Sequence, residues 1–317
     1  MPYRLDLAAD PPDALRAAAR EQIDDAVRRL RDDRADDPAK AVHEARKDLK
    51  KARSLLRLAR PGLPRAVHRR ENGVLRDTGR SLSGARDADV LVETVAGLGE
   101  RYTGQLPEAQ FDALRAGLAA AAAKAREHEG DAAAEARASA GDDVAADAVA
   151  TLDAVAARVG DWPLERCDHD TLVRGATRAY RRGRTALAAV EKTPSVERLH
   201  DLRKRVKDLW YHGRLLEEAW PRVVKAQSKA AHDLADLLGD DHDLAVLAER
   251  VERGVATDAP IDDEAVLGLI ARRRAELQAE AMPIARRLYA EPQKAFRGRL
   301  REYVRAAGAE RRLAEVA

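Results

Sequence analysis

Two copies of one stretch organise this chain: His43-Glu44-Ala45-Arg46-Lys47-Asp48-Leu49-Lys50 and His200-Asp201-Leu202-Arg203-Lys204-Arg205-Val206-Lys207. The histidine, the first arginine and two lysines recur at one offset, because 200 − 43, 203 − 46, 204 − 47 and 207 − 50 all equal 157. Arg57 and Arg214 keep the same offset (214 − 57 = 157). Five positions that repeat at a single spacing indicate an internal duplication.

The duplication extends beyond this stretch. Pro64 and Pro221 are also 157 residues apart (221 − 64 = 157), and Asp87 and Asp243 follow at an offset of 156 (243 − 87 = 156). The Gly-Asp-Trp-Pro segment at 160–163 is the clearest boundary signal between the copies. We therefore predict one domain over residues 1–317, made of a first helical repeat, 11–160, and a second helical repeat, 161–317.

The composition favours helices. Charged residues make up 35% of the 317 residues and aromatic residues only 3%, and the abundant Ala, Leu and Arg cost little free energy in a helix. The predicted fold class is all-α, with two similar bundles of long helices related by a pseudo-twofold axis. Glycine-containing segments predict interruptions of the helices at 97–107, 140–143 and 239–243.

The chain lacks the apolar run of about 18 residues that a transmembrane helix needs, so no membrane association is expected. Its first residues also lack the apolar core of a signal peptide. Cys167 is the single cysteine, which excludes an intramolecular disulfide and suits a reducing compartment. A cytoplasmic protein is the expectation.

The formal net charge of +2 conceals strongly charged segments. Residues 43–57 carry six Lys or Arg against two acids, and residues 198–214 again carry six against two. Residues 127–153 invert the balance, with eight acids against Arg137 alone. Local charge, rather than net charge, therefore indicates the partners of this protein.

On a helical wheel, the repeated cations of each motif share an arc of roughly 120°. The residues that we name the first ladder are His43, Arg46, Lys47, Lys50, Arg53 and Arg57. Those of the second ladder are His200, Arg203, Lys204, Lys207, Tyr211 and Arg214. Asp48 and Asp208 lie off these arcs, so neither is expected to neutralise its ladder.

Like charges three and four residues apart destabilise an isolated helix by a few tenths of a kcal/mol per pair. A bound polyanion would relieve this repulsion, since arginine forks match phosphate oxygens in pairs and lysine supplies a mobile charge. A solvated helix face is the alternative interpretation of any single basic run. The repetition of the pattern at one offset favours anion binding.

The duplicated motif, together with the Arg86-Asp87-Ala88-Asp89 helix start, resembles the CHAD family (conserved histidine α-helical domain) over about residues 11–312. The resemblance implies a pair of four-helix bundles about a pseudo-twofold axis, with a basic cavity or surface that binds inorganic polyphosphate. It also implies a non-catalytic role and association with polyphosphate granules. His43, Arg46, Lys47 and Lys50 match the first motif of the family, and His200, Arg203, Lys204 and Lys207 match the second.

The two ladders are not identical, because Trp210 and Tyr211 stand where the first copy has Arg53 and Ser54. Further cations are predicted to extend the polyphosphate-binding surface: Arg20, Arg178, Arg181, Arg184, Lys225 and Lys229. No cofactor and no metal site are predicted. The carboxylates near 87–89 and 241–243 are interpreted as partners of unpaired N–H groups at helix starts.

Two other functions stay open at this point. His43 and His200 could serve a polyphosphate or phosphoanhydride hydrolase, although spacing reveals no partner nucleophile or paired carboxylate. A nucleic-acid-binding or scaffold protein is the other alternative. Nucleic acid is not the expected partner because aromatic residues for base stacking are few. The acidic 127–153 segment could recruit protein partners at polyphosphate granules.

Overall fold

The computed structural model describes the backbone of residues 3–82, 86–127 and 131–316. Within these ranges, side chains are described except at 35, 86–89, 122, 124–127, 131–143 and 311–316. The described residues form helices and no β-strand. The α-helices are α1 (Pro11–Arg31), α2 (Pro38–Ala59), α3 (Arg65–Ser81), α4 (Arg86–Arg101), α5 (Glu108–Glu127), α6 (Asp131–Val159), α7 (His169–Lys192), α8 (Val196–Leu215), α9 (Pro221–Glu252), α10 (Asp263–Leu288) and α11 (Gln293–Val316).

The two helices that carry the ladders, α2 and α8, begin at residues whose side chains cap the helix. The Asp37 carboxylate accepts a hydrogen bond from the Lys40 backbone N–H at 3.0 Å, and Pro38 occupies the first turn. Ser195 Oγ accepts from the Arg198 N–H at 3.3 Å. These caps satisfy N–H groups that a helix start leaves without a partner. The positions of both motifs along their helices are thus set by local sequence.

Two hydrophobic clusters hold the helices together, and both contain residues from each half of the chain. The larger cluster includes Leu15 and Leu55 of the first half and Leu202 of the second half. The smaller cluster joins α4 and α5 to α9 and α10, for example through Leu114 and Leu247. The protein is therefore all-helical, with its halves packed into shared cores. The pseudo-twofold relation between the halves stays a prediction.

The ladder helices lie side by side because neighbouring helices pack closely. α7 crosses α2 at Gly175, where an added Cβ atom would lie only 1.9 Å from the Leu58 carbonyl oxygen. Only glycine permits this approach. α7 in turn packs along α8, and α2 contacts both of them. This arrangement places the polar faces of α2 and α8 next to each other.

The interruptions predicted at 140–143 and 239–243 were wrong, and the one predicted at 97–107 begins only after Arg101. α4 continues through Gly97 to Arg101, α6 runs through 140–143, and α9 runs unbroken through Gly239. A glycine inside a helix costs about 0.5–1 kcal/mol. In α9, the burial of Leu238 and Leu244 on either side of the glycine outweighs that cost.

Asp241 is consequently a mid-helix residue rather than a partner of N–H groups at a helix start. It is buried, and it accepts hydrogen bonds from Arg274 Nε at 3.1 Å and Gln278 Nε2 at 2.7 Å. α4 does begin at Arg86, whereas the side chains of Asp87 and Asp89 lie outside the described residues. None of the described helices is long and apolar enough to cross a membrane.

Candidate anion-binding groove

A groove of about 610 Å³ opens between α2, α3, α7 and α8. Eleven cationic side chains line it: Arg46, Lys50, Arg53, Arg57 and Arg60 from α2 and its C-terminal end, Arg76 and Arg80 from α3, Arg182 from α7, and Lys204, Arg205 and Lys207 from α8. Among the lining residues, Asp208 is the one carboxylate. The groove therefore carries a large excess of positive charge.

The helical wheel correctly predicted which faces of α2 and α8 turn inward. Leu49 and Leu56 of α2 are buried, as are Leu202 and Val206 of α8. Burial of these apolar residues turns the opposite, basic faces toward the groove. Lys50, Arg53, Lys204 and Lys207 of the predicted ladders thereby meet in one place.

The cations of the groove depress one another's pKa values. Desolvation, followed by the charge of Lys207 and then that of Arg46, lowers the pKa of Lys50 to about 8. Desolvation and then Arg57 lower the pKa of Arg53 to about 10. Each such shift means that the charged form is disfavoured in the free protein. An anion in the groove would remove that penalty.

α3 supplies neutral polar groups as well as arginines. Asn72 Oδ1 accepts a hydrogen bond from Arg53 Nε at 3.3 Å. The buried Nε2 atom of His68 has no hydrogen-bond partner within the described part of the chain. Burial, and then the charges of Arg60 and Arg57, lower the pKa of His68 to about 4. His68 is therefore neutral near pH 7 and has an unused ring nitrogen at the groove.

Neither Asp48 nor Asp208 pairs with a cation of its own ladder, as expected, but Asp208 pairs with Arg57 of the first ladder. Asp48 of α2 is fully buried, and it pairs with Arg29 at 2.7 Å and with Lys51 at 2.6 Å. Asp208 instead pairs with Arg57 at 2.8 Å. The wheel of an isolated helix could not reveal this contact, because Arg57 reaches Asp208 from a different helix.

The histidines of the motifs lie outside the groove lining. In the first ladder, His43 Nε2 lies 3.8 Å from a Glu44 carboxylate oxygen, and Lys47 Nζ bonds to the same carboxylate at 2.9 Å. Glu44 thus holds this part of the first ladder in an ion pair. Lys47 is half-exposed and does not line the groove.

In the second ladder, His200 and Arg203 face α9. The His200 ring packs against the His242 ring at a centroid distance of 4.2 Å, and Arg203 Nη2 lies 3.1 Å from the ideal Cβ position of Gly239. Desolvation, followed by the charge of His242, lowers the pKa of His200 to about 4. His200 is therefore neutral near pH 7 and belongs to the α8–α9 interface.

The departures of the second ladder from the first form an aromatic cluster. Tyr211 is buried, lines the groove and stacks on Trp210 with centroids 4.6 Å apart. The Arg214 guanidinium lies 5.5 Å from the Tyr3 ring centroid and 6.0 Å from that of Trp210. Arg214 is thus held in cation–π contacts and is absent from the groove lining.

The six additional cations predicted from the sequence do not line the groove either. Arg20 pairs with Asp24 at 3.2 Å and donates to the Ala156 carbonyl of α6. Lys229 pairs with Asp233 at 2.8 Å. The others lie at or near the surface of α7 and α9, where Arg178, Arg181 and Lys225 are exposed and Arg184 is half-buried.

Sequence reasoning missed five cations of the groove: Arg60, Arg76, Arg80, Arg182 and Arg205. For α3 a signal was present, because the lining residues His68, Asn72, Arg76 and Arg80 recur every four residues along one face. No comparable signal marks Arg182, which is one of several arginines on α7. Only the packing of α7 against α2 and α8 selects it.

The fold is all-helical, and the basic faces of α2 and α8 line one groove. The CHAD domain family model matches residues 16–252, so this chain belongs to the CHAD family. A similar solved structure is the CHAD domain from the plant Ricinus communis, with 20% identity and a TM-score of 0.56 over 92% of this chain and 96% of that one. This likeness shows the fold. A search of curated proteins found no match to the chain.

Proposed function

We propose that the groove binds inorganic polyphosphate and that this protein is a binding module rather than an enzyme. The observation that carries the proposal is the lining of eleven cationic side chains with one carboxylate. So many cations around one open groove suit a linear ligand with a negative charge at every unit. Membership of the CHAD family supports the same conclusion.

The chemistry of binding follows from the side chains present. Arginine guanidinium groups donate paired hydrogen bonds to phosphate oxygens, and lysines add mobile ammonium charges. α2 alone presents lining residues from Arg46 to Arg60, a rise of about 21 Å along the helix at 1.5 Å per residue. A chain of several phosphates can contact this length at many points, whereas a single phosphate cannot.

Calorimetry with long-chain polyphosphate, orthophosphate and double-stranded DNA, at equal phosphate concentration, tests the proposal. Polyphosphate should bind most tightly, and its affinity should fall linearly on a logarithmic plot against salt because condensed cations are released. Equal or tighter binding of DNA would contradict the proposal and favour the nucleic-acid alternative.

The hydrolase alternative predicts release of phosphate. Incubation of polyphosphate at high protein concentration, with and without magnesium, should give no increase in orthophosphate. A steady increase in orthophosphate that the His200→Ala substitution abolishes would contradict the binding-module proposal and support the hydrolase alternative.

Association with polyphosphate granules follows from the same proposal. A fluorescent fusion should colocalise with stained granules, and the colocalisation should require the groove cations.

A further inference from the structure

Two arginines pair with the Asp208 carboxylate, and two more line the same groove. Arg57 Nε lies 2.8 Å and Arg205 Nη1 3.4 Å from its two oxygens. Arg53 and Arg182 line the same groove. Burial lowers the pKa values of both, and the charge of Asp208 opposes the lowering in each case. The Asp208 side chain is only 8% exposed, so it lies at the floor of the groove.

This carboxylate has no counterpart in the first copy of the motif. At the offset of 157, Asp208 aligns with Lys51 (208 − 157 = 51). Lys51 pairs with Asp48 on the buried side of α2 rather than with the groove cations. Asp208 is therefore a feature of the second copy alone, placed where cations of α2, α7 and α8 converge.

A cluster of arginines that converges on one point from several helices is suited to a compact anion, because each guanidinium can donate to a different oxygen. The Asp208 carboxylate already occupies that point. Lys50, Lys204 and Lys207 line the same groove, in which Asp208 is the one carboxylate and pairs with Arg57 and Arg205.

We propose that Asp208 is a built-in anion that occupies the position a single phosphate would otherwise take among Arg53, Arg57, Arg182 and Arg205. By closing this site to compact anions, it leaves binding to the other cations of the groove, which only an extended chain can contact together. Asp208 thus makes the groove select chains over single phosphates. The inference about chains rests on the proposed function, whereas the closed compact site does not.

The test compares wild-type protein with Asp208→Asn and Asp208→Ser, titrated with orthophosphate, pyrophosphate and long-chain polyphosphate. Both substitutions free the arginines, so orthophosphate affinity should increase about tenfold, the usual gain from a charge-assisted hydrogen bond. Polyphosphate affinity should increase by a smaller factor. The ratio of polyphosphate to orthophosphate affinity should therefore fall.

Two further variants separate this role from a general effect of charge. Asp233→Asn makes the same charge change on the exposed surface of α9 and should leave orthophosphate affinity unchanged. The double variant Arg57→Gln/Asp208→Asn should not show the increase in orthophosphate affinity, because it also removes an arginine that the Asp208→Asn substitution frees. Circular dichroism checks the fold of every variant.

Unchanged or weaker orthophosphate binding by folded Asp208→Asn would overturn the inference and leave Asp208 as a structural ion-pair partner. Failure of both variants to fold in phosphate buffer would overturn it as well, since phosphate should refill the vacated position. A wild-type protein that binds no polyphosphate would refute the proposed function alone, because the gain of orthophosphate binding is measured independently.

Discussion

Lys50 and Lys207 occupy the same position in the two copies of the motif (207 − 50 = 157), and the structure brings them together in one groove. After desolvation, the charge of Lys207 is the largest cause that lowers the pKa of Lys50 to about 8. The two copies of the motif therefore place like charges side by side. These paired lysines, together with the helix packing that brings them near each other, lead to four measurable expectations.

Binding of a polyanion should take up protons above about pH 8. In the unfolded chain Lys50 has a pKa near 10.5, so between pH 8 and 10.5 the unfolded state binds more protons and folding stability rises with pH. A bound polyanion stabilises the charged form of Lys50, so above about pH 8 binding makes Lys50 take up a proton. The affinity for the polyanion should therefore fall as the pH rises through about 8. Calorimetry in two buffers of different ionisation enthalpy measures the uptake.

Lys50→Arg provides the control for proton uptake. Arginine has an ordinary pKa about two units above that of lysine and stays charged near pH 8, so the variant should bind polyphosphate with a smaller uptake at that pH. Uptake equal to that of the wild type would show that another group titrates.

Charge reversal in the groove should abolish binding. The double variant Lys50→Glu/Lys207→Glu replaces two cations of the groove by acids and should weaken polyphosphate binding by at least about thirtyfold, since two lost phosphate contacts at about 1 kcal/mol each amount to about 2 kcal/mol. Lys192→Glu/Lys294→Glu makes the same charge change at exposed positions outside the groove lining. Comparable losses in both double variants would mean that net charge, rather than the groove, governs binding.

Substitution of the groove arginines of α3 should weaken polyphosphate binding more than substitution of the lysines of α9. Arg76→Gln/Arg80→Gln removes two groove cations, so it should weaken polyphosphate binding about tenfold and reduce the salt slope by about two. Lys225→Gln/Lys229→Gln removes two cations that the sequence predicted but the groove lining lacks, and it should change affinity less than about twofold. The reverse order would show that the ligand follows α9 instead of α3.

The close crossing of α2 and α7 should tolerate no side chain at Gly175. Gly175→Ala places a Cβ atom 1.9 Å from the Leu58 carbonyl oxygen, so the helices must separate, and stability should fall by about 2 kcal/mol or more. Gly268→Ala, in α10, meets no atom within 4 Å and should be neutral or stabilising by up to about 1 kcal/mol. Urea unfolding followed by circular dichroism measures both. Equal stability of the two variants would contradict the crossing.

The contribution of α3 illustrates how far sequence reasoning reached. Each ladder was found because its cations recur on one face of its own helix, and burial of Leu49 and Leu202 confirms that the opposite faces pack inward. The polar residues of α3 also recur on one face of their helix, but this pattern has no second copy elsewhere in the chain, so the repeat did not reveal it. The helix breaks predicted at glycines were wrong where neighbouring leucines are buried, because tertiary packing outweighs the local cost of glycine.

The placement of the histidines shows what periodicity cannot decide. His43 and His200 share the polar arc of their helices, yet the first lies beside Glu44 and the second packs against His242 of α9. Neither histidine lines the groove. A position on an arc gives the direction of a side chain, whereas its neighbours depend on which helix lies in that direction.

The sequence by itself determined the helical class, the two ladders and the faces that they share, because the 3.6-residue period is a local property of the chain. Only the tertiary structure decided which cations meet. The crossing at Gly175 sets α2 beside α7 and α8, so that Lys50 lies near Lys207 and Arg57 reaches Asp208. These contacts join residues about 150 positions apart, and the free energy that fixes them comes from buried apolar surface rather than from the motif itself.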